Sequence, residues 1–165
     1  MKIGLLSDTH SYLDPKVFEY FKEVDEIWHA GDFGNTLLSD QLSSFKKLRG
    51  VYGNIDGDQL RLIHPEINIF NVAGAKVMMI HIGGYPGRYS KGVLDIIKRE
   101  RPKIFISGHS HILKAIPDKR NRLLHLNPGA AGKAGWHKVR TLMRFEINNG
   151  IPQNLEVIEL MDSKV

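Results

Sequence analysis

The chain has 165 residues, 42% of them hydrophobic and 25% charged, which fits one globular domain over residues 1–165 with a sizeable core. It contains no cysteine, which excludes disulfides, a zinc–thiolate site and a thiol nucleophile, and it has no apolar run long enough to span a bilayer. The net charge of +5 favours anionic substrates, but no dense basic run interleaved with aromatic residues supports nucleic acid as a partner.

The N-terminus predicts a buried strand rather than a signal peptide. Its apolar segment is brief and meets Ser7 and Asp8, whereas a signal peptide needs a longer apolar region. Together with the absence of cysteine, this predicts a cytoplasmic protein without a membrane partner.

Strands and helices alternate over the first third of the chain. Strands are predicted over residues 3–7, 26–30 and 49–52. Asp14 and Pro15 are predicted to open the first helix as its N-cap and first helical residue, and a second helix covers about 37–47. This alternation indicates a parallel, mostly buried sheet.

The remainder is predicted to be richer in strands. A loop is expected over 83–87, followed by a helix that Ser90 caps and that ends at Arg101, because Pro102 follows. We expect residues 3–6 and 104–106 to be buried in adjacent strands. The predicted strands of this part are 67–72 and 76–80, joined as a hairpin through Ala73-Gly74, then 103–107, 115–117, 123–126, 139–147 and 155–160.

Side chains with metal-binding chemistry follow five of the predicted strands. They are two carboxylates, one amide and four imidazoles: Asp8, His10, Asp32, Asn54, His81, His109 and His111. Because α/β folds build their sites at the C-terminal ends of strands, we expect these groups to converge. Singly, each has an ordinary alternative: an aspartate can cap a helix, an asparagine can sit in a turn, and a histidine can be structural.

The number and type of these groups suit two metal ions. Seven ligands are too many for one tetrahedral ion but fit two ions that share a bridging carboxylate. Oxygen and nitrogen ligation without sulfur favours divalent transition metals. We expect manganese, with nickel, iron, cobalt or zinc as alternatives.

The ordered motifs resemble those of the calcineurin-like metallophosphoesterase superfamily. The motifs are Asp8-Thr9-His10, Gly31-Asp32, Gly53-Asn54, His81 and Gly108-His109-Ser110-His111. The short length, Gly53-Asn54-Ile55-Asp56 and Asn127-Pro128-Gly129 are similar to the small YfcE-type and archaeal phosphodiesterases. The resemblance implies an α/β fold, a four-layer αββα sandwich of two mixed β-sheets flanked by helices. It also implies that Asp8, His10, Asp32 and His111 hold one metal, and that Asp32, Asn54, His81 and His109 hold the other, with Asp32 bridging.

The resemblance implies hydrolysis of a small phosphodiester or phosphomonoester by a hydroxide shared between the two metals. Asn54 is expected to coordinate through its oxygen and to donate from its amide nitrogen to the substrate. Many relatives carry a histidine after this asparagine as general acid, but Ile55 occupies that position here. Asp56 could serve only with a raised pKa, and a metal-bound water or another histidine, such as His10, could replace the missing acid.

The other histidines receive weaker assignments. His29 is expected to support a metal ligand or to be structural, and His125 to contact a ligand at most. His64 and His137 are predicted to lie at the surface. Asn127-Pro128-Gly129 is predicted to shape a loop near the site.

Two further interpretations of the chain stay open. The metallophosphoesterase-like subunit of retromer shares the implied fold and serves as a protein-binding scaffold. In such proteins the metal site is degraded or inactive, whereas all seven ligand positions here carry the expected residue types. A nucleic-acid binder or nuclease rests on net charge alone. Related proteins are often dimers or larger, so a homo-oligomer is one of the expected states.

Overall fold

Short apolar segments form strands and the amphipathic segments between them form helices. The computed structural model describes residues 1–161, and within them no helix is long and apolar enough to cross a bilayer. In chain order the elements are β1 (Lys2–Leu6), α1 (Lys16–Tyr20), β2 (Glu26–His29), α2 (Thr36–Phe45), β3 (Lys47–Gly50), α3 (Asp58–Ile63), β4 (Ile67–Val72), β5 (Ala75–Ile80), β6 (Gly84–Tyr85), β7 (Arg88–Tyr89), α4 (Val93–Glu100), β8 (Ile104–Ile106), β9 (Lys114–Asp118), β10 (Leu123–Asn127), β11 (Arg140–Asn148) and β12 (Ile151–Leu160).

Ten of these strands make two mixed sheets. Sheet 1 has the order β12-β11-β1-β2-β3, with β1, β2 and β3 parallel, β11 antiparallel to β1, and the edge strand β12 antiparallel to β11. Sheet 2 has the order β4-β5-β8-β10-β9, with β5, β8 and β10 parallel between two antiparallel edge strands. The parallel strands of each sheet therefore end at a common edge.

Alternating side chains divide the core into layers. On β1, Ile3 and Leu5 face a cluster shared with Ile104 and Ile106 of β8, which lies between the sheets. Leu6 faces the opposite way, into a cluster with residues of α1, α2 and α3. A third cluster packs α4 against the outer face of sheet 2. The predicted four-layer αββα sandwich is confirmed.

The two predicted buried segments lie in different sheets. Residues 3–6 and 104–106 are both buried, but they belong to β1 of sheet 1 and β8 of sheet 2 and meet across the core. The expectation that they are neighbouring strands was wrong, because apolar periodicity reports burial and not which strand pairs with which.

Several element boundaries also differ from expectation. β3 begins two residues before the predicted strand, and α1 begins at Lys16, with the Asp14 carboxylate accepting from the Lys16 N–H at 3.0 Å. Gly92, in left-handed backbone, and not Ser90, precedes α4. Helix α3 and the small hairpin of β6 and β7, which lies within and just after the expected loop, were not predicted. Both are short, and periodicity is weakest over so few residues.

Candidate metal centre

The seven predicted ligands lie together at the edge where the parallel strands of both sheets end. In one group, the ligand atoms of Asp8, His10 and His111 all lie within 4.8 Å of one another, and a second group joins Asp32, His81 and His109 in the same way. The Asn54 Oδ1 atom lies 3.1 Å from Nε2 of His81, which adds the amide to the second group. The predicted convergence, including the approach of His109 to Asp32, is confirmed.

Asp8 is the most deeply buried ligand carboxylate of the centre. Its Oδ2 atom accepts from the Ser7 hydroxyl at 2.6 Å and from the His109 N–H at 3.1 Å. Its Oδ1 atom is buried and has no hydrogen-bond partner within residues 1–161, yet it lies 3.1 Å from Nε2 of His111 and 3.9 Å from Nε2 of His81. An unpaired buried carboxylate oxygen is costly, so this atom among imidazole nitrogens fits a bound cation.

Asp32 lies between the two groups. Its Oδ2 atom is 3.2 Å from Nε2 of His81 and 3.7 Å from Nε2 of His10, while Oδ1 accepts from the Ile55 N–H at 3.1 Å. Burial alone would raise the pKa of Asp32, but the hydrogen bond and charge of His81 outweigh it and lower that pKa. An ionised carboxylate that faces both groups has the chemistry of a bridging ligand.

The carboxylates of Asp32 and Asp8 raise the pKa of His81. Burial alone would lower its pKa, but the hydrogen bond to Asp32 and the charges of Asp8 and Asp32 raise it. A cation must displace that proton, so ion binding at this position competes with protonation.

Five of the ligand residues have left-handed backbone. Their φ angles lie between 46° and 66°: Asp8, His10, Asp32, His109 and His111. Aspartate and histidine tolerate this region better than most residues, but each such position still costs about 1 kcal/mol or more. The packed loops impose these conformations, which aim successive side chains from one strand end into a common space.

Two glycines allow the loops to approach so closely. A Cβ atom on Gly53 would lie 2.0 Å from Oδ1 of Asp32, and one on Gly108 would lie 2.2 Å from the Ser7 hydroxyl oxygen. The glycines of these motifs therefore leave room for the carboxylates beside them.

Asp56 braces the loops and is not a free acid. Its carboxylate accepts from the N–H groups of Phe33 at 3.2 Å, Gly34 at 2.8 Å and Gly53 at 2.8 Å. These contacts tie the loop that carries Asp32 to the loop that carries Asn54. With both oxygens engaged by main-chain donors, Asp56 is not available to protonate a leaving group.

Asn127 also has a bracing role, as predicted. Its Nδ2 atom donates to the Gly108 carbonyl at 2.9 Å, and its Oδ1 atom accepts from the Gly129 N–H at 3.0 Å. The Asn127-Pro128-Gly129 segment thus holds the loop that carries His109 and His111.

The buried His29 supports the ligand loops. Its Nδ1 atom accepts from the Gly31 N–H at 3.2 Å, and its Nε2 atom lies 2.9 Å from the Thr9 hydroxyl. Burial, reinforced by the charges of His64 and His81, lowers its pKa well below the usual value. Neutral His29 therefore connects Thr9, the residue after Asp8, with Gly31, the residue before Asp32.

The surface prediction was wrong for His64, and His137 is only partly exposed. His64 is 7% exposed, stacks on Phe33 and lies 2.8 Å from the Ser39 hydroxyl. His137 is partly buried, with its Nδ1 atom 3.2 Å from Nδ1 of His111. Neither lies on a periodic apolar face, so the sequence carries no signal for these contacts. His125 is buried beside Phe105 on the helix-facing side of sheet 2, and within residues 1–161 it forms no hydrogen bond with a candidate ligand.

The rim of the centre is open to solvent. Asn54 and His109 are exposed above the buried Asp8, Asp32 and His81. Beside Asn54 and His81 is a cavity of about 240 Å³ that Tyr52, Arg61 and Ile82 also line. The sequence did not point to these three residues, and α3, which carries Arg61, was itself not predicted.

Comparisons with known proteins agree with this geometry. The sequence model of the calcineurin-like phosphoesterase superfamily domain matches residues 1–150. A probable metallophosphoesterase of Methanocaldococcus jannaschii is 35% identical, over 96% of this chain and 82% of that protein. The solved structure of an archaeal phosphodiesterase is 24% identical and superposes with a TM-score of 0.76 over 97% of this chain and all of that one. The zinc complex of Vps29 from Entamoeba histolytica is 21% identical, with a TM-score of 0.71 over 96% of this chain and 99% of that one. Both structural likenesses show the shared fold.

Proposed function

Because this chain belongs to the calcineurin-like phosphoesterase superfamily, we propose that it is a metal-dependent phosphodiesterase with a centre for two divalent ions. The observation that carries the proposal is the unpaired, buried Oδ1 atom of Asp8, which lies near imidazoles of both ligand groups. The curated phosphodiesterase from Methanocaldococcus jannaschii, which is 26% identical over 78% of this chain and 83% of that protein, supports the choice of a diester substrate.

The ligand assignment follows the two groups. We assign Asp8, His10, Asp32 and His111 to one ion and Asp32, Asn54, His81 and His109 to the other. Asp32 is shared because its Oδ2 atom faces His10 of the first group and His81 of the second. Manganese is the metal we expect, since the ligands are oxygen and nitrogen atoms without sulfur.

The chain's own residues divide the remaining work. When bound, two such ions lower the pKa of a water molecule and polarise a phosphoryl oxygen. Asn54 turns Oδ1 toward His81, which leaves its amide nitrogen to donate to a substrate oxygen at the exposed rim. His10 can hold a proton for the leaving group only where its Nε2 atom is not a ligand, so its two assigned roles compete. Weak acid catalysis is the consequence.

The cavity beside Asn54 gives the substrate a place beyond its phosphate. Tyr52 and Ile82 line it with apolar surface, and Arg61 and Glu66 add one charge of each sign. A small diester with an aromatic leaving group fits these surroundings. Location in the cytoplasm and assembly into a homo-oligomer stay predictions.

The alternative is a protein-binding scaffold with little activity, and the likeness of the fold to Vps29 is its support. A scaffold does not require seven ligand side chains around an unpaired carboxylate oxygen. The phosphoesterase is therefore the better supported function.

The test combines metal analysis with a substrate panel. Protein purified without chelators is analysed for bound metals, then assayed on aryl phosphodiesters and monoesters with Mn²⁺, Ni²⁺, Co²⁺, Zn²⁺ or Fe²⁺. We expect two ions per chain and turnover of diesters above monoesters, with loss of both in Asp8→Asn. Asp95→Asn, at an exposed aspartate of α4, is the matched control. Because a Vps29 is itself known as a zinc complex, metal binding alone does not separate the two functions, and absence of turnover with every ion would favour the scaffold.

A further inference from the structure

His137 lies on the connection between β10 and β11 and touches a candidate ligand from outside the centre. Its Nε2 atom is 2.9 Å from the Gly132 carbonyl oxygen, and its Nδ1 atom is 3.2 Å from Nδ1 of His111. The two rings meet edge to face, with centroids 5.0 Å apart. Neither of the two proposed ligand groups includes His137.

These two contacts define which nitrogens carry protons. A carbonyl oxygen only accepts, so Nε2 of His137 must donate to Gly132. In neutral His137 the Nδ1 atom then has a free lone pair, which accepts a hydrogen bond from Nδ1–H of His111. In neutral His111 the Nε2 atom therefore carries no proton, and its lone pair is available to a metal.

The surroundings of Nε2 of His111 support an unprotonated nitrogen at that position. Its Nε2 atom lies 3.1 Å from Oδ1 of Asp8, yet that oxygen has no hydrogen-bond partner within residues 1–161. The two atoms are close without the geometry of a donor and an acceptor. The same Nε2 atom lies 3.3 Å from Nε2 of His10, so a cation bound here would face the Asp8 carboxylate and both imidazoles.

We propose that His137 is a positioning residue that fixes the tautomer and orientation of His111 for metal binding through Nε2. The inference rests on the proposed metal centre and extends it to a side chain outside the ligand set. Partners of this kind commonly change metal affinity by about 10- to 100-fold.

A closed path of contacts holds His137 in place. The Gly132 N–H donates to the Asp8 carbonyl at 3.0 Å, the Gly132 carbonyl accepts from His137, and His137 accepts from His111. Gly135 makes room for the path, because a Cβ atom there would lie 2.4 Å from Nδ1 of His111. One ligand is thereby positioned relative to another through the loop.

His81 in the second group has a different partner. Its Nδ1 atom lies 2.7 Å from the Ala30 carbonyl oxygen, so the main chain fixes its orientation. Substituting His137 should therefore weaken one of the two ion sites and spare the other.

The experiment measures Mn²⁺ binding by calorimetry on the full-length protein. In His137→Leu we expect one of two binding steps to weaken by about 10- to 100-fold while the other stays unchanged. His137→Gln, which retains an acceptor, should recover much of the lost affinity. Trp136→Ala is the matched control, because this neighbouring side chain is fully exposed.

A second measurement reads the tautomer without metal or activity. Nitrogen-15 chemical shifts of His111 in the metal-free protein should report a proton on Nδ1 in the wild type and a mixture of tautomers in His137→Leu. Unchanged binding and unchanged shifts in a folded His137→Leu protein would overturn the inference. If the wild type itself binds no Mn²⁺, Ni²⁺, Co²⁺, Zn²⁺ or Fe²⁺, the proposed metal centre fails, and the inference fails with it.

Discussion

Replacing His125 should remove a defined pH dependence from the stability of the fold. The side chain is fully buried, and neither ring nitrogen has a hydrogen-bond partner within residues 1–161. Burial, helped by the charge of Lys114, lowers its pKa from 6.5 to about 4, and the nearby Phe105 main chain offsets only part of this shift. The folded protein therefore binds this proton less readily than the unfolded chain, so stability is lost as the pH falls from 6.5 and levels off below about 4.

The size of the effect follows from the two pKa values. Linkage gives a loss of about 2 kcal/mol between pH 7 and pH 5, and about 3 kcal/mol once the pH is below both values. The stability of His125→Leu should lack this dependence on pH. Other buried histidines and any change in ion binding with pH contribute equally to both proteins, so the difference between wild type and variant isolates His125.

Urea unfolding at a series of pH values measures that difference. Fluorescence of Trp28, which is buried in the core, reports unfolding, and His125→Phe serves as a second variant because its ring can pack beside Phe105. The free energy of the wild type should fall relative to both variants as the pH drops from 7 to 5. Parallel stability curves for all three proteins would refute the reasoning.

Three further predictions concern the centre. Asp32→Asn should lose activity at saturating Mn²⁺ more completely than His10→Ala, because Asp32 faces both ligand groups; a nearly active Asp32→Asn would contradict the bridging assignment. Rates on a series of aryl phosphodiesters should fall steeply as the pKa of the leaving phenol rises, since Ile55 and Asp56 supply no acid; a flat dependence with chemistry rate-limiting would reveal an efficient acid. Gly53→Ala should reduce metal affinity and activity severely, because the added methyl collides with the Asp32 carboxylate. Gly57→Ala, where a Cβ atom meets open space, is its control, and equal losses in both variants would point to general instability.

The order of polar residues after strands was enough to predict which side chains meet. Parallel strands end at one edge, so Asp8 and Asp32 had to lie near each other once β1 and β2 were assigned. Which strands pair was not predictable from apolar runs, and β1 and β8 were wrongly expected to be neighbours.

The groups that brace the ligands were mostly beyond the reach of the sequence. Asp56 is a candidate acid in the sequence because it comes directly after Ile55, but its contacts with Phe33 and Gly34 depend on how two loops pack. His64 and His137 belong to no periodic pattern, and their partners, Phe33 and His111, are distant in the chain. Such contacts depend on the tertiary arrangement of loops and have no local signature.

Each ligand group takes side chains from both sheets, and this has a thermodynamic consequence. Asp8 follows β1 of sheet 1, whereas His111 follows β8 of sheet 2. An ion held by both is a cross-link across roughly a hundred residues of chain, and a covalent link of that span stabilises by on the order of 4–5 kcal/mol. An occupied centre acts in the same sense as long as the unfolded chain binds the ions more weakly. Removing the ions with a chelator should therefore weaken the contact between the two sheets at the edge that carries the ligands. Amide hydrogen exchange should become faster first at those strand ends.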